Sequence, residues 1–316
     1  MNTPTDTTVH TTVLLHESID GLGIESGDVY VDGTLGGGGH SLLALTNNPD
    51  ITIIGLDEDE DALRRAKARI VATEVGNEAE RAGRLFFIRE NFRNIDRALA
   101  SLPKTSVNRI MLDLGLSSDQ FEVSGRGFSF KKDEPLLMTF SKPAADASIE
   151  PNELPRLTAR DIVNTWEEEN IADIIYGYGE ETYSRMIAKG IVEARAKKPI
   201  ETTTDLVAII EASTPSRYHH GRTHPATKTF QALRITVNDE INALREGLEK
   251  GYKALASGGT MAVISFHSIE DRIVKHFFKA QEDATILTKK PITPSHQEIS
   301  ENPRSRSSKL RIIKKN

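Results

Sequence analysis

The chain has 316 residues, 38% of them hydrophobic and 27% charged, with a formal net charge of −6 at pH 7, so it can bury the core of one large or two modest domains. It has no apolar run long enough to span a bilayer, and its polar first residues lack the pattern of a signal peptide. The absence of cysteine excludes disulfides, thiolate catalysis and a zinc ribbon, and we expect a soluble cytoplasmic protein.

A glycine-rich segment follows the first predicted strand, Val29–Asp32. It runs from Gly33 to His40 and contains four consecutive glycines, Gly36 to Gly39, before a helix predicted over Gly39–Thr46. Glycines let the backbone approach a ligand closely, and an acid at the end of the next strand can hold a ribose. That strand, Thr52–Asp57, ends in Asp57. The pattern predicts a site for a nucleoside-containing cofactor.

Two other interpretations of the glycines are less favoured. The spacing fails a strict G-x-G-x-x-G match, and no G-K-[ST] triplet follows, which argues against a dinucleotide or ATP. A simple turn that needs positive φ would also use glycine. The acids at positions 32 and 57 favour the cofactor site over such a turn.

Further short β-rich runs alternate with amphipathic segments, which indicates an α/β fold with a parallel sheet covered on both faces. Additional strands are predicted over Leu85–Arg89, Arg109–Asp113 and Thr260–Phe266, and helices over Glu60–Val75, Arg93–Leu102 and Asn238–Leu255.

The fourth strand ends in Asp113, and Gln120 follows shortly after it. Ligands of open α/β sheets bind beyond the carboxyl ends of the strands, near the switch point between the first and fourth strands. We therefore expect Asp113 and Gln120 beside the cofactor, although an acid in this position can also simply cap a turn.

Aromatic and basic side chains alternate in the next segment, at Arg126, Phe128, Phe130 and Lys131. Such a pattern can stack on unpaired bases and neutralise phosphate. The alternative is a surface loop whose phenylalanines are buried in the core.

Between positions 130 and 215 no strand is predicted, and several helices follow one another. They are expected over Ile149–Leu154, Thr158–Trp166, Ile171–Tyr176, Glu180–Arg195 and Thr203–Ser213. The region is predicted to be an all-helical insertion, 130–215, within one catalytic domain formed by 1–129 and 216–316.

The last third of the chain is basic, with 18 lysines and arginines against 10 acids over residues 216–316. A polyanion could bind there, or these side chains could be ordinary solvated surface. The histidines at 219, 220 and 224 match no zinc spacing, so no metal is predicted. His224, Lys228 and Arg234 instead belong to a basic helix that could face RNA phosphates.

Ser265 and His267 follow the last buried strand. Two hydroxyls and a histidine at the carboxyl end of a strand can contact a substrate or relay a proton, and a histidine there can also cap a helix. No G-x-S-x-G elbow is present, which argues against a serine hydrolase. A hairpin predicted from Thr285 and Lys309 onwards fits a methyltransferase better than a dehydrogenase.

These segments, taken in order, resemble the RsmH (MraW) family of bacterial methyltransferases that act on a cytidine of small-subunit ribosomal RNA. The matching motifs are His10-Thr-Thr-Val-Leu-Leu, Asp32-Gly-Thr-Leu-Gly-Gly-Gly-Gly-His40, Leu112-Asp-Leu-Gly-Leu-Ser-Ser118, Arg126-Gly-Phe-Ser-Phe130, Tyr178-Gly-Glu-Glu, His224-Pro-Ala-Thr-Lys-Thr-Phe-Gln-Ala-Leu-Arg234, Ile264-Ser-Phe-His-Ser-Ile-Glu-Asp-Arg272 and Asn302-Pro-Arg-Ser-Arg-Ser-Ser-Lys-Leu-Arg311.

The resemblance implies a class I S-adenosylmethionine-dependent methyltransferase, Rossmann-like, with a mainly parallel seven-stranded sheet and a C-terminal antiparallel hairpin. It implies methylation of the exocyclic N4 of a cytidine in the decoding region of 16S ribosomal RNA, within the small subunit and without a membrane or metal. By motif position, the implied cofactor residues are Gly38, Gly39, His40, Asp57, Phe92, Asp113 and Gln120.

For the chemistry we expect Asp113 to accept the amino proton, with Ser265 and His267 as positioning or relay groups. The expected RNA contacts are Arg126, Phe128, Phe130, Lys131, His224, Lys228, Arg234, Arg304 and Arg306.

One segment departs from the family pattern. After Arg126-Gly-Phe-Ser-Phe130 the family usually continues Pro-Leu-Asp-Met-Arg-Met-Asp, whereas residues 135–141 here read Pro-Leu-Leu-Met-Thr-Phe-Ser. The loss of two acids and an arginine keeps an alternative open, an RNA-binding ribosome assembly factor with altered catalysis. A methyltransferase for another substrate and a nicotinamide dehydrogenase are further alternatives, which the basic last third disfavours.

Overall fold

The computed structural model describes residues 12–103, 106–115, 125–140, 157–221 and 223–316. The chain divides into two compact units: Met1–Ser117 with Ile241–Asn316, and Ser118–Glu240. We call these the sheet unit and the helical unit. In the described ranges, no helix combines the length and apolar character that crossing a membrane would need.

A single seven-stranded sheet forms the sheet unit. Its strands are β1 (Val29–Asp32), β2 (Thr52–Asp57), β3 (Leu85–Arg89), β4 (Val107–Asp113), β5 (Leu255–Ser265), β6 (Ala284–Ile286) and β7 (Lys309–Lys315). They lie in the order β3-β2-β1-β4-β5-β7-β6. The first five are parallel, and β7 runs antiparallel between β5 and β6. The predicted parallel sheet with a terminal antiparallel hairpin is therefore confirmed.

The helices are α1 (Leu15–Leu22), α2 (Gly39–Asn47), α3 (Glu60–Val71), α4 (Glu74–Arg81), α5 (Ile95–Ala100), α6 (Ala159–Thr165), α7 (Glu168–Gly179), α8 (Ser184–Arg195), α9 (Thr203–Ser213), α10 (Ser216–His219), α11 (Thr227–Val237), α12 (Glu240–Ala254), α13 (Ser268–Ala280) and α14 (His296–Glu301). Apolar side chains of the strands form one core on each face of the sheet. This two-sided burial explains the almost continuous apolar runs of the central strands.

Several predicted boundaries were wrong for local reasons. The helix predicted over Glu60–Val75 is two helices, because the Thr73 hydroxyl caps α4 by accepting the Gly76 N–H at 3.1 Å. The helix predicted from Glu180 begins at Ser184, because Glu180 has φ +50° and ends α7. The last parallel strand begins at Leu255 rather than Thr260, directly after α12. The helix predicted over Ile149–Leu154 lies outside the described residues.

The helical unit extends beyond the predicted insertion, 130–215, on both sides. Asn238 gives one physical reason: its side-chain amide donates to the Met138 carbonyl at 2.8 Å, and its oxygen accepts the Phe140 N–H at 2.9 Å. A second reason is the ring of Phe130, which stacks on His224 with centroids 4.6 Å apart. Segments near 130–140 and 224–238 thus fold together.

In the sheet unit, one carboxylate joins α13 to the terminal hairpin. Asp271 accepts hydrogen bonds from Arg311 Nε at 2.6 Å and from Lys309 Nζ at 3.1 Å, both on β7. Burial opposes the ionisation of Asp271, but these two cations outweigh it and hold the pKa of the carboxyl below its usual value.

We expect Asp271→Asn to lower the free energy of unfolding at pH 7. A depressed folded-state pKa stabilises the protein above the unfolded value of about 4, and that contribution is lost as the pH falls through the folded pKa. The difference between variant and parent should therefore shrink on acidification, as measured by urea unfolding at pH 7 and pH 3. Glu282→Gln, at an exposed position after α13, is the control. An equal loss of unfolding free energy in both variants would contradict the stabilising role of the Asp271 ion pairs.

Candidate functional site

The loop after β1 crosses the carboxyl end of the sheet towards β2. Its Leu35 N–H donates to the Leu56 carbonyl at 2.9 Å. Gly38 precedes α2 with φ +70°, and a Cβ there would lie 3.1 Å from that of Ala66. A Cβ on Gly39 would lie 1.9 Å from Thr12 Oγ1. Close packing therefore demands glycine at both positions, in addition to any approach of a ligand.

Asp57 closes this loop from the end of β2. Its carboxylate accepts the Gly36 N–H at 2.9 Å and the Asp59 N–H at 2.8 Å. Burial raises the pKa of Asp57 to about 6, although these two backbone hydrogen bonds oppose the rise. Each carboxylate oxygen has two lone pairs, so a partly exposed Asp57 can still accept from the hydroxyls of a ribose.

A second carboxylate, Asp32, lies buried at the end of β1. It accepts the Ser41 hydroxyl at 2.7 Å and the Thr34 N–H at 3.3 Å. Burial is the main cause that raises its pKa to about 6. The Thr34 hydroxyl in turn accepts the Asp113 N–H at 2.6 Å. Thr34 thus ties the glycine loop to the ends of both β1 and β4.

Asp113 completes the group at the end of β4. Its Oδ2 lies 4.0 Å from His40 Nδ1. Its Oδ1 is shielded from solvent and accepts no hydrogen bond from the described part of the chain. Burial, followed by the negative charges of Asp32 and Glu270, raises the pKa of Asp113 well above its usual value.

This arrangement fits a cofactor that has a ribose and a positive charge. Asp57 offers oxygen acceptors to the ribose, while Asp113 retains an unused acceptor near the glycine loop. A cation placed beside Asp113 would offset the repulsion between the acids and favour the ionised carboxylate. The predicted residues Gly38, Gly39, His40, Asp57 and Asp113 are all brought to this end of the sheet.

Phe92 and Gln120 differ from these residues. Phe92 begins the 3₁₀ turn Phe92–Asn94 after β3, and its side chain packs against the core. A Cβ on Gly247 would lie 2.4 Å from its ring. This contact accounts for Phe92 by packing, so its contact with a cofactor stays a prediction. Gln120 lies outside the described residues.

Ser265 and His267 already have partners within the sheet unit. The Ser265 hydroxyl donates to the Lys309 carbonyl at 3.4 Å. His267 caps α13: its Nδ1 accepts the Glu270 N–H at 3.4 Å, and Glu270 accepts the His267 N–H at 3.2 Å. The helix-capping alternative for His267 is therefore present, and a direct role in catalysis stays a prediction for both side chains.

In the helical unit, two predicted RNA contacts face inward. Arg126 is 4% exposed; its guanidinium donates to the Thr139 carbonyl at 2.9 Å and also to that of Phe140. Phe128 is buried and stacks on Phe140 with centroids 5.9 Å apart. Both side chains stabilise the loop itself, which is the alternative that the sequence left open.

Phe130 and its surroundings are more open. Its ring stacks on His224 and meets Phe230 edge-on at 5.4 Å. The His224 side chain is 39% exposed, and Lys131 is exposed. Lys228 Nζ donates to the Glu180 carbonyl at 2.8 Å. Of the aromatic residues predicted to stack on bases, Phe130 is the one that retains partial exposure.

The predicted arginines behave differently from one another. Arg234 forms a two-pronged ion pair with Glu240, with both N···O distances 2.8 Å. In this bidentate geometry, two of the guanidinium nitrogens already donate to a carboxylate. Arg304 and Arg306 lie in the 3₁₀ turn Pro303–Ser307 and are exposed. Their position at the surface is compatible with contact to phosphate, which stays a prediction.

The segment that departs from the family pattern is irregular in its described part, 135–140, apart from an isolated β-bridge between Pro135 and Thr202. Met138 is buried with φ +57°, and its N–H donates to the Arg126 carbonyl at 2.7 Å. Thr139 is also buried, and its carbonyl accepts from Arg126. The segment is thus held by hydrogen bonds to Arg126 and Asn238.

No role was predicted from the sequence for Thr34, Ser41 or Glu270, whereas Asp32 was predicted to lie at the cofactor edge of the sheet without a role as a ligand. Position was the available signal for Asp32, because an acid that ends β1 directly before a glycine loop faces the same edge as Asp57 and Asp113. Thr34 and Ser41 carry no comparable pattern, since hydroxyl side chains are common in loops and at helix starts.

We expect the unfolding free energy of the parent to fall relative to that of Asp32→Asn as the pH rises from about 4 to about 6. The folded state holds the Asp32 proton up to a pKa of about 6, so it binds more protons than the unfolded chain in this range. The change over this range should be roughly 2 kcal/mol. Urea unfolding across this range measures it, with the exposed Asp20→Asn as control. Parallel curves for parent and Asp32→Asn would contradict the assignment.

We also expect Arg126→Ala to destabilise the helical unit by about 2 to 4 kcal/mol, because it leaves buried carbonyls without a donor. Lys131→Ala, five residues away and exposed, should leave thermal unfolding unchanged. Differential scanning calorimetry of both variants checks this. If the thermal unfolding of Arg126→Ala equals that of the parent, Arg126 does not stabilise the loop, and the predicted contact with RNA would be favoured instead.

Comparison with known proteins identifies relatives of this chain. The family model described as "MraW methylase family" matches residues 7–316. The chain is 44% identical over 306 residues to the protein named ribosomal RNA small subunit methyltransferase H of Sulfurihydrogenibium sp. (strain YO3AOP1), covering 96% of this chain and 98% of that protein. The protein of the same name from Trichormus variabilis is also 44% identical, covering 97% and 92%.

Among solved structures, an rRNA methylase from Streptococcus thermophilus aligns over 96% of this chain and 97% of its own, with a TM-score of 0.42 and 12% identity. The sequence relatives and the family model span nearly the whole chain. The chain belongs to the MraW methylase family.

Proposed function

We propose that this protein transfers the methyl group of S-adenosylmethionine to the exocyclic N4 of a cytidine in the decoding region of 16S ribosomal RNA. The curated relatives bear the name of a small-subunit rRNA methyltransferase. The observation that carries the proposal is the shielded Asp113 oxygen without a hydrogen-bond partner in the described chain, at the strand end beside His40 and the glycine loop.

The cofactor residues follow from this geometry. Asp57 would accept hydrogen bonds from the ribose, and the backbone from Gly38 to His40 would line the donor. Asp113 would face the positive end of the molecule, and Phe92 and Gln120 would add the further contacts that the family motif implies. When bound, S-adenosylmethionine supplies a methyl carbon made electrophilic by its sulfonium.

Held by Asp57 and by the backbone from Gly38 to His40, the donor would supply this methyl carbon to the cytosine N4 and would leave as a neutral thioether. Because the N4 lone pair is delocalised into the ring, in-line positioning at about 3 to 3.5 Å supplies much of the acceleration. The nitrogen then loses a proton, and Asp113 accepts it as a carboxylate. Burial raises the pKa of Asp113, and the positive charge of a sulfonium bound beside it would favour the ionised carboxylate.

Ser265 and His267 act as positioning residues in this proposal. Both are hydrogen-bonded at the end of β5 or the start of α13, where they hold the strand end in place. On the RNA side, Phe130 with His224 offers a surface for stacking on an unstacked base. Lys131, Lys228, Arg304 and Arg306 would contact phosphate. The enzyme would meet its substrate in the cytoplasm, as part of the small subunit.

The experiment is methyl transfer to small ribosomal subunits from a strain that lacks the enzyme, followed by mass spectrometry of the rRNA nucleosides. We expect a methyl group on the N4 of a cytidine. Methylation of another base would overturn the assignment of N4. Binding of the subunit without any transfer would favour the assembly-factor alternative that the departure at 137–141 left open.

We expect Asp113→Asn to lower kcat by about 100-fold or more, because the amide cannot accept the proton. Asp57→Asn should instead raise the KM for S-adenosylmethionine, since it weakens the grip on the ribose. Exposed Asp20→Asn, at a distance in sequence from either role, serves as the matched control. A kcat equal to that of the parent in Asp113→Asn would show that Asp113 is not the proton acceptor.

A further inference from the structure

Helix α13 presents only positive charge to solvent. Its apolar side chains Val274 and Phe278 are buried, and Ile273 and Phe277 pack on the same core. Four basic residues occupy the other face at the helical spacing i, i+3, i+4 and i+7, and all four are exposed. This stripe, which we call the α13 basic face, consists of Arg272, Lys275, His276 and Lys279.

Both acids of the same helix are occupied elsewhere. Glu270 is buried and forms the capping box with His267. Asp271 binds Arg311 and Lys309 of β7. Neither carboxylate is therefore available to neutralise Lys275 or Lys279, and the next exposed acid, Glu282, lies beyond the end of the helix.

Some surface cations on other helices of the sheet unit lie close to an acid, whereas Arg245 and Lys253 on α12 are exposed like Lys275 and Lys279. On α3, Arg64 contacts Asp61, and on α12, Lys250 lies 3.5 Å from Glu246. Within the described ranges, Lys275 and Lys279 have no ion-pair partner. Like charges at i and i+4 destabilise a helix by a few tenths of a kcal/mol. The helix dipole favours cations in the last turn, which covers Lys279 but not Lys275.

We propose that the α13 basic face binds the phosphate backbone of the substrate RNA, outside the catalytic group, and so sets the affinity for the ribosomal subunit. This inference rests on the proposed function. From residue 272 to residue 279 the helix rises about 10 Å, a length that spans successive phosphates of one RNA strand. Lysine and arginine at this spacing recognise charge and backbone shape rather than base sequence.

The test is the double variant Lys275→Glu/Lys279→Glu, assayed with small subunits from the strain that lacks the enzyme. Glutamate is a good helix former at exposed positions, and circular dichroism verifies the fold. We expect the KM for subunits to rise roughly tenfold and the salt dependence of binding to weaken by about 1.4 to 1.8 units of slope, for two lost phosphate contacts. The values of kcat and of the Kd for S-adenosylmethionine should not change.

The matched control is Arg245→Glu/Lys253→Glu on α12, which makes the same change of charge at two exposed positions of the sheet unit. An equal rise in KM in both double variants would reduce the effect to net charge and overturn the proposal, as would a KM equal to that of the parent. If the parent transfers no methyl group, the proposed function fails. A filter-binding titration of the same variants against small-subunit rRNA then still decides whether α13 binds the backbone.

Discussion

The site depends on how the loop after β1 satisfies buried carboxylates. Asp32 and Asp57 end adjacent strands, and each accepts a backbone N–H from the loop, from Thr34 and Gly36 respectively. The Thr34 hydroxyl extends the connection to the backbone of Asp113. Because a buried charge without a donor is costly, these hydrogen bonds fix the loop relative to three strand ends. The glycines then follow from the close packing that this loop path imposes.

The same constraint leaves one carboxylate less satisfied than the others. Asp113 has a shielded oxygen without a described partner, and its ionised form is disfavoured by burial and by Asp32. A group in this condition responds strongly to a nearby cation. A cation bound beside Asp113 would therefore shift this carboxyl towards its ionised form.

The sheet could be predicted from sequence because its strands are short, β-rich and separated by turn signals. Asp57 and Asp113 could be predicted because the carboxyl ends of parallel strands share one edge. The direction in which Arg126 and Phe128 point could not, since alternation of aromatic and basic residues fits an RNA surface and a self-packed loop equally well. Asn238 stabilises this loop through hydrogen bonds to Met138 and Phe140, which lie far away in sequence. Such long-range contacts leave no local sequence pattern. The helix boundaries at Thr73 and Glu180 were not predicted, because in each case one capping residue set the boundary against the helix propensity of the surrounding sequence.

The place of the helical unit in the chain has a consequence for folding. β4 and β5 are neighbours in the sheet, but residues 114–254 separate them in sequence. During synthesis, β4 therefore emerges long before its partner and leaves an unpaired, apolar strand edge. Non-local pairing of this kind is slow and exposes intermediates to aggregation. Early formation of a separate helical unit would shorten the effective distance that β5 must search to find β4.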